Sequence, residues 1–166
     1  MLHKKYTILV ADDDPNDRML MERAFKASLV QAKLRLVTCG DEAIAYLKGE
    51  GVFADRSIYQ YPSFLLTDLK MFPGDGFSIL AFLQSTPDSA IIPTIVLSSS
   101  NDSDDIKRAY LLGASAYIVK PQDPSQLIEL LKAIAAFWLI CEVPEVDEVG
   151  RRVVTKSQGK LGDRFT

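Results

Sequence analysis

Five short apolar runs, each followed by a segment of helical period, constrain this chain more than any other feature of its sequence. Tyr6 to Ala11 reads as a buried strand, and Asp14-Pro15 supplies a cap and a first helical residue for a helix through about Ser28. Leu34 to Thr38 predicts a second strand and Glu42 to Lys48 a second helix. Phe64 to Thr67 and Thr94 to Leu97 predict the third and fourth strands, with helices over Phe77 to Gln84 and Asp104 to Leu112. Ala116 to Val119 is the fifth strand, and Ser125 to about Leu139 the last helix. Strands that are apolar on both sides of the pleat are covered on both faces. Five βα units in a row therefore predict an α/β fold, a doubly wound five-stranded parallel sheet with helices on both faces. Gly49 to Pro62 is a longer connection within this pattern.

The chain has 166 residues, and a domain typically holds about 100–200. We expect one folded unit over residues 1–140 and a tail over 141–166, because the helical pattern fails from about Glu142. The tail is too short to build the core of a separate output domain. With 48% hydrophobic and 25% charged residues the composition excludes wholesale disorder. A net charge of -3 offers no basic face for nucleic acid; Arg151, Arg152, Lys156, Lys160 and Arg164 read as a solvated tail. The longest apolar run, Ala133 to Cys141, has nine residues, against the roughly 18–20 that span a bilayer. Neither a membrane span nor a signal peptide is expected, and Cys39 and Cys141 match no metal or redox spacing, so a reducing cytoplasmic setting is the expectation. The lone His3 lies near the terminus and does not point to a His-dependent triad or metal site.

In open parallel sheets, sites form beyond the carboxyl ends of the strands, where strand order reverses. Strand 1 ends in Asp12-Asp13-Asp14, strand 3 in Thr67-Asp68, strand 4 in Ser98-Ser99-Ser100 and strand 5 in Lys120-Pro121. Any one of these is ordinary loop chemistry. Together, at successive strand ends, they bring carboxylates, a hydroxyl and an amine to one edge. Asp12, Asp13 and Asp68 would repel one another without a compensating cation, and Mg2+ suits hard oxygen ligands with open water positions. Lys120 adds a point charge for a carboxylate or phosphate, and Ser98 can donate to a phosphate oxygen. Phosphoryl transfer asks chiefly for such positioning and charge neutralisation.

The segments Ile8-Leu9-Val10-Ala11-Asp12-Asp13-Asp14, Leu66-Thr67-Asp68-Leu69-Lys70-Met71, Val96-Leu97-Ser98-Ser99 and Tyr117-Ile118-Val119-Lys120-Pro121 resemble the signature segments of bacterial two-component response-regulator receiver domains. The spacings from Asp68 to Gly76, Ser98 and Lys120 match as well, over about Tyr6 to Leu139. The resemblance implies the flavodoxin-like receiver fold with strand order 2-1-3-4-5. It implies a phosphoacceptor at Asp68, served by a sensor histidine kinase, with Mg2+ held by Asp13, Asp68 and the Lys70 carbonyl and by Asp12 through water. It further implies that Ser98 and Tyr117 act as switch residues and that Lys120 binds phosphate. The Gly49 to Pro62 loop and the Phe137-Trp138-Leu139…Val143-Pro144 ending are similar to stand-alone receivers paired with phytochrome-type kinases. Two departures stand out: Phe72 occupies the usual proline position with Pro73 following, and Lys70 is a long cation beside the phosphate entrance.

A haloacid-dehalogenase-type phosphatase also uses a post-strand Asp-x-Asp (here Asp12-x-Asp14), a Ser or Thr and a Lys, but then a final acidic pair after a strand. Asp104-Asp105 precedes Lys120 and opens a helix instead. A receiver that only binds partners lacks a site residue, and none is lacking here. In the last helix Leu127, Leu130, Leu131 and Ile134 form one stripe for the sheet. From Ala133 the helix is apolar all round, so the remainder is covered by Val143 to Val149 or by a second subunit, or else is left as an exposed patch. A homodimer is the expectation, with Trp138 in its contact.

Overall fold

An unbroken apolar strand belongs in the middle of a sheet, and β1 (Tyr6–Ala11) sits between β2 (Ala32–Val37) and β3 (Phe64–Thr67), with Ile8 to Ala11 fully buried. β4 (Thr94–Ser98) and β5 (Ala116–Val119) complete a five-stranded sheet of order β2-β1-β3-β4-β5, parallel throughout. The helices are α1 (Pro15–Ala27), α2 (Gly40–Lys48), α3 (Gly76–Ser85), α4 (Ser103–Leu111) and α5 (Pro124–Ile140). The computed structural model describes residues 6–27, 32–86, 92–143, 145–151 and 153; His3, Ser28 and the basic positions 152, 156, 160 and 164 lie outside them. Order reversal at β1 sends α1 and α5 together to one face and α2 with α3 to the other, as right-handed crossovers require.

The ladder runs one residue past the strands. Asp12 N donates to Val37 O, Asp68 N to Ala11 O and Lys120 N to Ser98 O, at 3.1, 2.9 and 2.8 Å. Three of the expected site residues are therefore held by sheet hydrogen bonds and not by loop conformation. The core is one large cluster across both faces of the sheet, with a smaller one (Leu69, Phe77, Leu80, Val96, Ala109, Ala114) packed between α3, α4 and the sheet.

The predicted element boundaries hold within one or two residues. α2 begins at Gly40 instead of Glu42 because its first amides find remote acceptors: Gly40 N donates to Gly74 O at 2.8 Å and Asp41 N to Pro73 O at 3.2 Å. That satisfies orphan donors of the helix start and anchors the loop after Asp68 to α2. The connection after α2 carries a 3-10 turn (Gly51–Phe53) and an aromatic group of Tyr46, Phe53 and Tyr59. Arg56 ties it down by donating to the Tyr46, Leu47 and Tyr59 carbonyls.

Leu127, Leu131 and Ile134 of α5 are buried as the stripe predicts, and Trp138 stacks on Phe64. Phe137 and Ile140 remain 57% and 81% exposed. Beyond α5 the chain turns back on itself, with Asp147 N bonded to Arg151 O and Val153 N to Glu145 O. Gly150 (φ 80°) in this turn lies flat against the Tyr61 ring, which leaves no room for a Cβ. Tyr61 precedes β3, so this contact is at the sheet edge opposite Asp12 and Asp68. Among the described residues no helix is long and apolar enough to cross a membrane.

Candidate functional site

At the carboxyl edge, Asp12 follows β1, Asp68 follows β3 and Lys120 follows β5, and the three side chains meet. Lys120 Nζ lies 2.7 Å from Asp12 Oδ2, 3.0 Å from Asp68 Oδ2 and 2.9 Å from Asp17 Oδ2. Asp12 is wholly buried; its other oxygen accepts from Asp14 N at 2.9 Å, and Arg18 Nη1 donates to its carbonyl at 2.7 Å. Asp68 Oδ1 accepts from Leu69 N at 2.6 Å. Burial pushes the Asp12 carboxyl above the usual range, and Lys120 only partly offsets that. Burial also opposes the Lys120 ammonium, yet the charges of Asp68 and Asp12 with the bonds to Asp12 and Asp17 outweigh it, so its pKa is raised. Lys120 stays an ammonium at neutral pH.

Asp13 is exposed at the mouth, and Asp12, Asp13 and Asp68 each offer an oxygen within 4.8 Å of the others. One lysine cannot neutralise these acids. Three converging hard oxygen donors, open to water on the Asp13 side, fit a small divalent cation. Asp14 turns away: its side chain accepts from Asn16 N at 2.8 Å and caps α1, so Asp12 and Asp14 do not form a paired dyad.

Gly76 lets this edge close up. A Cβ there would overlap the Asp68 carbonyl oxygen, and Gly76 N donates to Leu69 O at 2.9 Å, so α3 begins directly on the residues beside Asp68. Lys70 is exposed, and with Asp13, Phe72, Asp105 and Arg108 it lines a cavity of about 480 Å³ beside the acids. Phe72 is 89% exposed, so the shift of proline to position 73 leaves an aromatic ring at the loop tip. Arg108 lies over the Phe77 ring at 4.1 Å.

Ser98 ends β4 fully buried, and its hydroxyl accepts from Ser100 N at 3.2 Å. Tyr117 is half-buried, and its hydroxyl donates to Ser100 O at 2.8 Å. Ser100 Oγ donates to Asp105 Oδ2 at 2.7 Å. The two expected switch residues are thus joined through Ser100, to which the sequence pattern assigned no role. Asp17 was missed too. It stands in the first turn of α1, where an acid is ordinary helix chemistry, and only the packing of α1 on α5 brings it to Lys120.

The sequence matches the response regulator receiver domain family over residues 8–132. The response regulator Rcp1 of Synechocystis sp. is 30% identical over 132 residues, covering 80% of this chain and 88% of that protein. Among solved structures, the phosphorylated cyanobacterial phytochrome response regulator RcpA superposes with a TM-score of 0.80 at 35% identity, covering 86% of this chain and all of that one. The Mn(2+)-bound form of Rcp1 gives a TM-score of 0.78 at 28% identity, covering 84% of this chain and 99% of that one.

Proposed function

The chain belongs to the response regulator receiver family, and from that we propose that it is a phosphorylation switch whose acceptor is Asp68. The observation that carries this reading is the Lys120–Asp68 contact of 3.0 Å beside three converging carboxylates. A carboxylate oxygen of Asp68 attacks phosphorus as the donor's N–P bond breaks, and the donor imidazole leaves with its electron pair and takes up a proton. Lys120 stays with the transferring group and offsets charge on its oxygens. Asp13, Asp68 and the Lys70 carbonyl would hold Mg2+, with Asp12 acting on it through water. When bound, Mg2+ neutralises the acids and lets an anionic donor approach. Ser98 then swings from Ser100 N to a phosphoryl oxygen and frees the Ser100 segment, which changes the hold on Tyr117. The chain acts on no substrate beyond its own phosphorylation and dephosphorylation.

The donor is a sensor histidine kinase of phytochrome type, supported by the phytochrome system named for RcpA. Signalling is by protein contact in the cytoplasm, without nucleic acid or membrane. Residues 1–140 form the receiver and 141–166 a tail. The exposed Phe137 and Ile140 at the end of α5 support a homodimer. Phosphotransfer from a purified, phosphorylated phytochrome-type kinase tests the reading. Rapid label transfer to wild type and none to Asp68→Asn is expected; equal labelling of both would overturn it.

A further inference from the structure

An ammonium has three N–H donors, and in Lys120 all three are engaged, by Asp12, Asp17 and Asp68. A phosphoryl group arriving on Asp68 needs one of them. Asp12 is walled in, with its side chain 1% exposed, and Asp68 is the reacting group. Asp17 is the most exposed of the three at 22% and the only one carried by a helix instead of a strand end. Its place is fixed on both sides: Asp14 caps the same turn, and the adjacent Arg18 clamps that turn to the Asp12 carbonyl at 2.7 Å.

We propose that Asp17 is a positioning residue for Lys120. It shares the ammonium with Asp12 and Asp68 and holds it from the α1 side, and it is the contact that Lys120 releases when a phosphoryl group forms. The inference rests on Asp68 being the acceptor. Without Asp17, Lys120 is held by Asp12 and Asp68 alone and competes there more strongly with Mg2+. Asp17 itself lies outside the converging trio of Asp12, Asp13 and Asp68, so its effect on Mg2+ runs through the lysine.

The test is calorimetric titration of Mg2+ into the unphosphorylated full chain as wild type, Asp17→Asn, Lys120→Met and the double variant. Asp17→Asn is expected to weaken Mg2+ binding roughly two- to fivefold, the range of a partly exposed ion pair, and to change nothing in the Lys120→Met background. The same loss in both backgrounds, or none in the first, overturns the proposal. If Lys120→Met does not fold without metal, 15N NMR of the Lys120 ammonium in wild type and Asp17→Asn decides. Faster proton exchange in Asp17→Asn supports the contact, and an unchanged signal overturns it. Acetyl phosphate labelling of wild type, run alongside, separates the two readings. Absence of label removes Asp68 as acceptor, while a non-additive cycle still upholds the Asp17–Lys120 pair.

Discussion

Lys120→Met removes the one cation that three carboxylates share and keeps nearly the same side-chain volume. The Lys120 side chain is 8% exposed, and its partners lie at 2.7 to 3.0 Å. Removing one member of a buried ion pair costs about 3–5 kcal/mol, because the partners' charge is left uncompensated. The opening at Asp13 and Asp17 puts this site at the low end, about 3 kcal/mol. At roughly 2–4 °C per kcal/mol for a chain of this size, the melting temperature should fall by about 6–12 °C in chelator. A divalent cation does part of the same neutralising work, so saturating Mg2+ should recover more stability in Lys120→Met than in wild type. Acid should narrow the gap too. The Asp12 pKa is raised by burial, so its ionisation opposes folding, and that opposition fades as pH falls through the folded value. It rises further once Lys120 is gone. The Lys120 pKa is also raised, so its stabilisation is complete at neutral pH and is lost only as pH climbs past the ordinary lysine range. Thermal unfolding by circular dichroism, with chelator and with Mg2+, is the assay. Equal melting of variant and wild type in chelator, or a gap that Mg2+ leaves untouched, would show that Lys120 does not neutralise these acids.

Asp13→Ala should abolish the rise in melting temperature that Mg2+ gives wild type, since it removes the exposed ligand of the trio; an undiminished rise would speak against the site. Ser98→Ala should accept phosphate from acetyl phosphate yet lose most of the accompanying change in NMR shifts at Ser100 and Tyr117, the groups tied to Ser98. Shifts as large as in wild type would remove Ser98 from the coupling. Phe137→Glu should weaken the dimer in sedimentation without lowering the melting temperature, because Phe137 is exposed while Trp138 packs on Phe64. Monomeric wild type at tens of micromolar would rule the dimer out.

The sheet was legible because a strand buried on both faces must be apolar throughout, and Ile8 to Ala11, Phe64 to Leu66 and Ile95 to Leu97 are. The strand-end residues were legible for the same reason: a polar residue directly after such a run can only emerge at the edge. Asp17 and Ser100 were not, since each looks like ordinary helix-start or turn chemistry until packing supplies its partner. The start of α2 was misplaced because its amides bond to Pro73 and Gly74, more than thirty residues away. The exposure of Trp138 could not be read either. A helix that is apolar all round does not say which ring meets the sheet, and here it is Trp138 that finds Phe64.

If Asp68 takes the phosphoryl group, site mapping will find it there. Wild type and Asp68→Asn are incubated with acetyl phosphate and Mg2+, then analysed by intact mass and by peptide mapping under conditions that preserve acyl phosphates. A single base-labile phosphoryl group on the peptide containing Asp68, absent from Asp68→Asn, is the expected result. Label on any other residue of wild type, or undiminished label on Asp68→Asn, would rule Asp68 out as the acceptor.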